Sequence, residues 1–283
     1  MQPLGPYDLA EQNEYFGEWA EAAAPGVART VMAFPVEGWD ESAAVVVEQS
    51  SGGDIDVAVH GARDTARAQS QGLAVLSLDV DGRGYLAVGE RDPVIGRLQQ
   101  QHHFLRPVLF HSPYEAACSF IIGHRIRITQ GRAIRRRMAQ EAGEPIAVDG
   151  TTVHAFPAPQ RLLQLTAIPG VAQPKIERLH DAARAALDGW LDRATLRAMA
   201  YADAIARVKA IKGLGDFFAS GVVLRGAGFV DESPGDEMTL AGVRRFYGTE
   251  DSGRIAEIVE GWRPYRTWCS VLVHASERRS RAG

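Results

Sequence analysis

Between about Thr30 and Val88 the apolar residues fall in short alternating or β-branched runs: Thr30–Phe34, Ala43–Glu48, Ile55–His60, Leu73–Asp79 and Gly84–Val88. Turn-forming clusters such as Ser50-Ser51-Gly52-Gly53-Asp54 and Asp79-Val80-Asp81-Gly82-Arg83-Gly84 separate them, so the runs read as strands. Helix signals are few in this part. Arg63–Gln71 is one expected helix, and Pro93–Gln101 is another with Asp92 as its N-cap. After His111 the spacing turns helical. Ser112-Pro113-Tyr114-Glu115 has a capping serine, a proline in the first turn and a glutamate at the third position, and the helix it starts is expected to reach Ala142 with a break near Gly131. Helical stretches follow at Pro159–Leu165, Pro174–Leu187, Arg193–Ala198, Ala202–Ala210, Phe217–Gly226, Leu240–Tyr247, Ser252–Gly261 and Pro264–Ser276. The expected architecture is α+β: an N-terminal antiparallel sheet domain over residues 1–110, followed by an all-α domain over 111–283.

Composition narrows the class. The 283 residues, 46% hydrophobic and 23% charged, suffice to bury a core and exclude disorder, collagen and coiled coil. No window approaches 18 consecutive apolar residues, and Met1–Pro6 lacks the basic-then-apolar pattern of a signal peptide. Cys118 and Cys269, far apart and without metal-ligand spacing, read as reduced thiols of a cytoplasmic protein. The formal net charge of −4 hides an asymmetry: residues 1–110 carry 7 basic against 16 acidic side chains, whereas residues 111–283 carry 24 against 19. The second part is therefore net basic, which suits an anionic partner on that part. Of the 31 basic residues 28 are arginine, a bias that a GC-rich genome explains without function.

Chemistry enters at Ile211-Lys212-Gly213-Leu214-Gly215-Asp216, between two helical stretches. Its two glycines allow a tight hairpin whose exposed N–H groups can face a phosphate, although a plain interhelix turn has the same pattern. The neighbouring motifs decide between them. Ser112–Ala116 with Ile121-Ile122-Gly123-His124, then Phe156–Leu162, then the hairpin with Val223-Leu224-Arg225-Gly226, then Trp262-Arg263-Pro264-Tyr265-Arg266-Thr267-Trp268 stand in the order found in the helix–hairpin–helix DNA glycosylases. From roughly His111 to Ser276 the chain resembles that superfamily, most closely its 3-methyladenine DNA glycosylase II branch.

The resemblance implies a site. A carboxylate shortly after the second hairpin helix stabilises the cationic sugar or positions water; the ungapped match is Glu237, with Asp236 beside it in reserve. A solvated acidic turn, Pro234-Gly235-Asp236-Glu237, is the alternative. Lys212, Gly213 and Gly215 would bind DNA, and the hairpin carbonyls would hold a monovalent cation; no other cofactor and no metal is expected. The apolar wedge of the relatives falls on Arg125, next to His124; its guanidinium can stack in the duplex or contact phosphate. Base-pocket positions fall on Phe217, Gly221, Met238 and His274, of which the last three replace aromatic rings of the relatives. That change suggests a bulkier or more polar base, or drift compensated elsewhere. The run Arg132, Arg135, Arg136, Arg137 reads as a solvated helix face, and His102-His103 as surface residues. Phe217 stands where strand-cutting relatives carry a Schiff-base lysine, and no four-cysteine cluster motif is present.

The expected activity is thus monofunctional: hydrolytic excision of a modified base from double-stranded DNA by a monomer associated with the nucleoid. Two substrates stay open, an alkylated purine in base excision repair or a bulky hypermodified base such as glucosylated hydroxymethylcytosine of phage DNA in antiviral defence. The rival is a DNA-binding protein of the same fold without catalysis.

Overall fold

A computed structural model describes residues 1–16, 28–233 and 235–282, excepting the side chains of 278–282; Pro234 of the expected acidic turn lies outside them. After a short helix α1 (Leu9–Phe16), strands β1 (Arg29–Pro35), β2 (Ser42–Gln49) and β3 (Ile55–His60) form an antiparallel sheet in the order β1-β2-β3. The first three expected strands are these. The other two are helical or turn. Leu73–Val75 ends helix α2 (Thr65–Val75), and Tyr85–Val88 lies in α3 (Tyr85–Arg91). A short apolar run has no period by which strand and helix can be told apart, and the helix expected over Arg63–Gln71, capped by Asp64, runs on to Val75. Helix α4 (Pro93–Gln101) begins as expected, with Asp92 Oδ1 accepting from the amides of Val94 and Ile95.

Helix α5 (Pro113–Gly123) starts on Ser112, whose hydroxyl accepts from Glu115 N at 3.1 Å. The expected break near Gly131 comes earlier, at His124–Arg127, and α6 (Ile128–Ala142) follows. A hairpin that sequence reasoning missed, β4 (Pro145–Val148) and β5 (Thr151–His154), turns on Asp149-Gly150. Both turn residues have positive φ, 47° and 79°, as a type I′ turn demands; Asp-Gly was the available signal. The remaining helices are α7 (Pro159–Leu162), α8 (Gln173–Leu187), α9 (Arg193–Arg197), α10 (Tyr201–Lys209), α11 (Asp216–Val222, running on as a π-turn over Val223–Ala227), α12 (Glu237–Tyr247), α13 (Ser252–Glu260) and α14 (Arg266–Ala282).

Strand β2 is buried on both faces, and its alternation sorts the cores. Ala43, Val45 and Val47 join Met32 and Phe34 in the larger core, while Ala44 and Val46 meet Ile146 and Val148 of the β4–β5 hairpin on the other face. The larger core also takes Val243, Ile255, Trp262, Trp268 and Leu272 from the end of the chain. A separate cluster is built from Phe110 to Ala227. Residues 111–283 are therefore not one packing unit, since their last part completes the core under the sheet. Two buried guanidinium groups tie the pieces. Arg106 donates to the carbonyls of Ser77, Leu4 and Pro6 and lies 4.9 Å from the Trp268 ring. Arg193 donates to those of Phe110 and His111.

Arg135, expected on a solvated face, turns inward to Glu115, which also faces His111 at 2.8 Å. The expected surface pair divides likewise: His103 is exposed, but His102 is buried, its Nε2 lying 2.9 Å from Ser276 Oγ. Burial works to raise the Glu115 pKa, but His111 and Arg135 outweigh it and hold the carboxyl at about 2 against an ordinary 4.5. A carboxylate with a depressed folded pKa stabilises fully above its unfolded pKa and loses that contribution as pH falls through the folded value. Urea titrations of Glu115→Gln and wild type should therefore differ by about 3 kcal/mol at pH 7 and converge between about pH 4.5 and pH 2. A pH-independent difference would refute this account.

Candidate active site

The turn after α10 is a compact hairpin, with Leu214 N donating to Ile211 O at 3.1 Å. Gly213 is required there twice. Its φ is +96°, and a Cβ would lie 2.6 Å from Arg178 Cδ, because the Arg178 stem packs on it from α8. Of the expected residues, His124, Lys212, Gly213, Gly215 and Phe217 line one open groove, together with Arg178, Lys209 and Phe218. Phe217 is 73% exposed, and Lys209 is ion-paired with Asp216.

Arg125 projects from the turn between α5 and α6. It is exposed and has φ +58°, a left-handed conformation that costs a non-glycine residue about 1–2 kcal/mol. The turn is held from α8: Lys175 Nζ donates to the carbonyls of Ile122 and His124, both at 2.7 Å. That ammonium occupies acceptors left over at the end of α5. Desolvation, followed by the charges of Arg125, Lys175 and Arg178, keeps the His124 pKa below its ordinary value.

The other expected residues gather at the start of α12. Glu237 points to solvent, its side chain 78% exposed and paired with Arg244 at 2.7 Å. Asp236 is the helix N-cap and is half-buried. Its Oδ1 accepts from the amides of Met238 (2.9 Å) and Thr239 (3.0 Å), and its Oδ2 accepts from Thr239 Oγ1 (3.0 Å). His274, on α14, places Nε2 at 3.2 Å from Asp236 Oδ1 and 2.8 Å from Thr239 Oγ1. Since the Thr239 hydroxyl gives its proton to Asp236, the Nε2 atom serves as donor to the threonine oxygen. Burial works to raise the Asp236 pKa; His274 and Thr239 overcome it and hold the carboxyl well below the usual range. Oδ1 is saturated with donors, whereas Oδ2 has one. An ionised carboxylate with one oxygen left to act is a group that can stabilise a nearby cation or orient water.

His274 thus serves the carboxylate, not a stacking wall. Met238 is 46% exposed. Gly221 departs from expectation altogether. A Cβ there would lie 2.4 Å from Phe120 Cζ, so the space thought to be opened by the missing ring is filled from α5. Phe120 stacks on Phe218 at 5.5 Å, and Phe218 meets His124 edge-on at 5.4 Å. Aromatic surface is therefore supplied by residues that one-to-one matching did not reach. The loop before Asp236 is pinned to α14 through Thr267, which donates from N to Val230 O and from Oγ1 to Glu232 O, and through Arg266 Nε, which bonds Asp231. Thr239, Phe120, Phe218, Lys175 and Arg178 were missed by sequence reasoning. Only Thr239, at the third position of a helix capped by Asp236, had a local signal.

No family model matches this chain. A DNA-3-methyladenine glycosylase of Bacillus subtilis (strain 168) is 23% identical over 204 residues, covering 69% of this chain and 67% of the relative. Among solved structures, a 3-methyladenine DNA-glycosylase from Archaeoglobus fulgidus superposes with a TM-score of 0.77 at 17% identity, covering 98% of this chain and 97% of that one. A Clostridium acetobutylicum 8-oxoguanine glycosylase/lyase in complex with double-stranded DNA superposes at 0.63, with 17% identity and 88% of each chain covered.

Two outcomes follow from this geometry. His274→Ala should raise the Asp236 titration, read by carboxyl-carbon NMR, by about one pH unit, and His274→Gln should raise it less, because an amide donor remains. An unmoved titration would exclude the contact. Gly221→Ala should cost about 1–3 kcal/mol in urea unfolding, through overpacking against Phe120.

Proposed function

We propose that this chain, which has the fold of the helix–hairpin–helix DNA glycosylases, hydrolyses the N-glycosidic bond of a damaged nucleotide turned out of duplex DNA. The product is an abasic site. The observation that carries the reading is Asp236, an ionised and half-buried carboxylate with a single donor on Oδ2. As the bond from the base to C1′ stretches, positive charge grows on the sugar, and a fixed anion stabilises it more in the transition state than in the ground state. Water adds to C1′ while Oδ2 accepts a hydrogen bond from it, the C1′–N bond breaks with its electron pair leaving on the base, and the surplus proton of the water passes to solvent, or to the base where that leaves as an anion. Asp236, not Glu237, carries this role: the glutamate faces solvent and Arg244, outside the donor set that keeps Asp236 ionised.

An alkylated purine is the substrate favoured by the relatives' names and by the rings present. The exposed ring of Phe217 would attract a base that alkylation has made cationic. Such a base leaves as a neutral molecule, so it needs little acid assistance. A second reading, a bulky hypermodified base of phage DNA and hence a defensive role, keeps one observation in its favour. Met238 is 46% exposed and His274 is engaged with Thr239, so neither supplies the stacking ring that a compact purine would use.

Strand cleavage is not expected, because none of the three lysines faces Asp236: Lys175 caps α5, Lys209 pairs with Asp216 and Lys212 is on the hairpin. The turn after α10 offers backbone carbonyls as its neutral donors, and its one carboxylate, Asp216, is taken by Lys209. That set suits a monovalent cation held by the carbonyls of residues 212–214, where it would supply positive charge to a phosphate. The protein would act as a monomer on one lesion.

The test is a panel of duplexes, each with one alkylated or hypermodified base, scored for abasic sites. Release of the alkylated purine is expected, falling at least about 100-fold in Asp236→Asn and staying within about twofold in Glu237→Gln. The opposite ranking of the two variants would return the role to Glu237. Release of the hypermodified base alone would select the second reading, and borohydride should trap no protein on DNA. Binding without release of any base would establish the DNA-binding rival.

A further inference from the structure

The groove beside the hairpin carries positive charge that the fold does not neutralise. Among its lining residues Asp216 is the one carboxylate, and it pairs with Lys209. Arg178 and Lys212 have no ion-pair partner among the described residues. Lys212 is exposed on the turn itself. Arg178 is different: it is half-buried, belongs to α8 far from the hairpin in sequence, and lays its aliphatic stem across Gly213, with Cβ, Cγ and Cδ all close to where a side chain at 213 would begin. The guanidinium is therefore carried to the hairpin by packing and is not a freely moving surface charge. One helical turn earlier on α8, Lys175 grips the end of α5 and so fixes the turn that bears Arg125. Desolvation first, and the Arg178 charge in addition, lower the pKa values of His124 and Lys175.

We infer that Arg178 is a phosphate-binding residue: its guanidinium and the Lys212–Gly215 backbone together take one phosphate of the DNA strand. The ligand class follows from the chemistry. An unpaired guanidinium in a groove with N–H-bearing turn backbone suits a phosphodiester, and a planar fork can bond two phosphate oxygens at once. In this arrangement α8 is a strut. It holds the phosphate site with Arg178 and the Arg125 turn with Lys175, so that the two contacts keep a fixed spacing along the duplex. The inference rests on the DNA reading above, and its test separates the two.

Binding is measured by fluorescence anisotropy on a duplex with a stable abasic-site analogue and on an undamaged duplex, between about 50 and 200 mM salt, a range in which phosphate contacts dominate the salt dependence. Arg178→Gln keeps the stem on Gly213 and removes the charge; Arg178→Lys keeps a charge; Arg97→Gln, at an exposed position of α4 outside the groove, is the control. Loss of one phosphate contact reduces the slope of log affinity against log salt by about 0.9, so the wild-type advantage over Arg178→Gln should shrink about threefold across that range. The loss should be similar on both duplexes, with Arg178→Lys close to wild type in slope and Arg97→Gln unchanged. A wild-type slope in Arg178→Gln overturns the inference while leaving the glycosylase reading intact. A wild type that binds neither duplex overturns both.

Discussion

Arg106 brings a full charge into the interior, where it has no carboxylate within ion-pair distance among the described residues; carbonyl oxygens and aromatic rings surround it instead. Burying a guanidinium is tolerable only when its donors are used, and three carbonyls from two distant segments, Leu4 and Pro6 on one side and Ser77 on the other, supply most of the acceptors. Its flat face lies on Tyr7 and Trp268. That last contact matters most for function, because Trp268 is on α14, the helix that also carries Thr267 and His274. Removal of Arg106 would take away one tie between the first segment and the last helix, and the loop leading to Asp236 is pinned to that helix.

The sheet and the candidate site are thus mechanically continuous. β2 packs on both faces, one face sharing its core with α12, α13 and α14. α14 in turn presents Arg266, Thr267 and His274 along the side that meets Val230, Asp231 and Glu232 and the start of α12. A catalytic carboxylate must be held to within a fraction of an ångström, and an N-cap bonded to two amides, a hydroxyl and an imidazole meets that requirement better than a solvent-facing side chain. The same donors that orient Asp236 also keep it charged. Position and ionisation therefore come from one set of hydrogen bonds.

The charge asymmetry gains meaning from this arrangement. The acidic first part of the chain provides the sheet, while the groove cations Arg178, Lys209 and Lys212 all come from the basic part. Yet the basic part is not uniformly a surface for anions. Arg135, Arg193 and Arg266 are spent on buried or bridging contacts, and of the run Arg132, Arg135, Arg136 and Arg137, all expected in solvent, Arg135 is bound to Glu115. Counting arginines locates the half of the molecule to inspect; only their partners say which ones remain available.

What the sequence determined by itself was whatever depends on neighbours a few residues away: Asp92 and Ser112 as caps, the turn at Gly213 and Gly215, three strands with clear alternation, and the helical character after His111. Caps and turns are closed by hydrogen bonds across two to four residues, so the local order of residue types suffices. It failed where an apolar run had no period, as in Leu73–Asp79, and where the Asp149-Gly150 turn signal went unused. Tertiary structure alone set the two adjacent carboxylates in different surroundings, Glu237 in solvent beside Arg244 and Asp236 beside His274, which reaches the Thr239 hydroxyl from 35 residues away. It alone filled the space at Gly221 with Phe120, and it alone brought Arg178 onto the hairpin. Each of these is a contact between side chains of different elements, fixed by packing and burial, and no spacing along the chain encodes it.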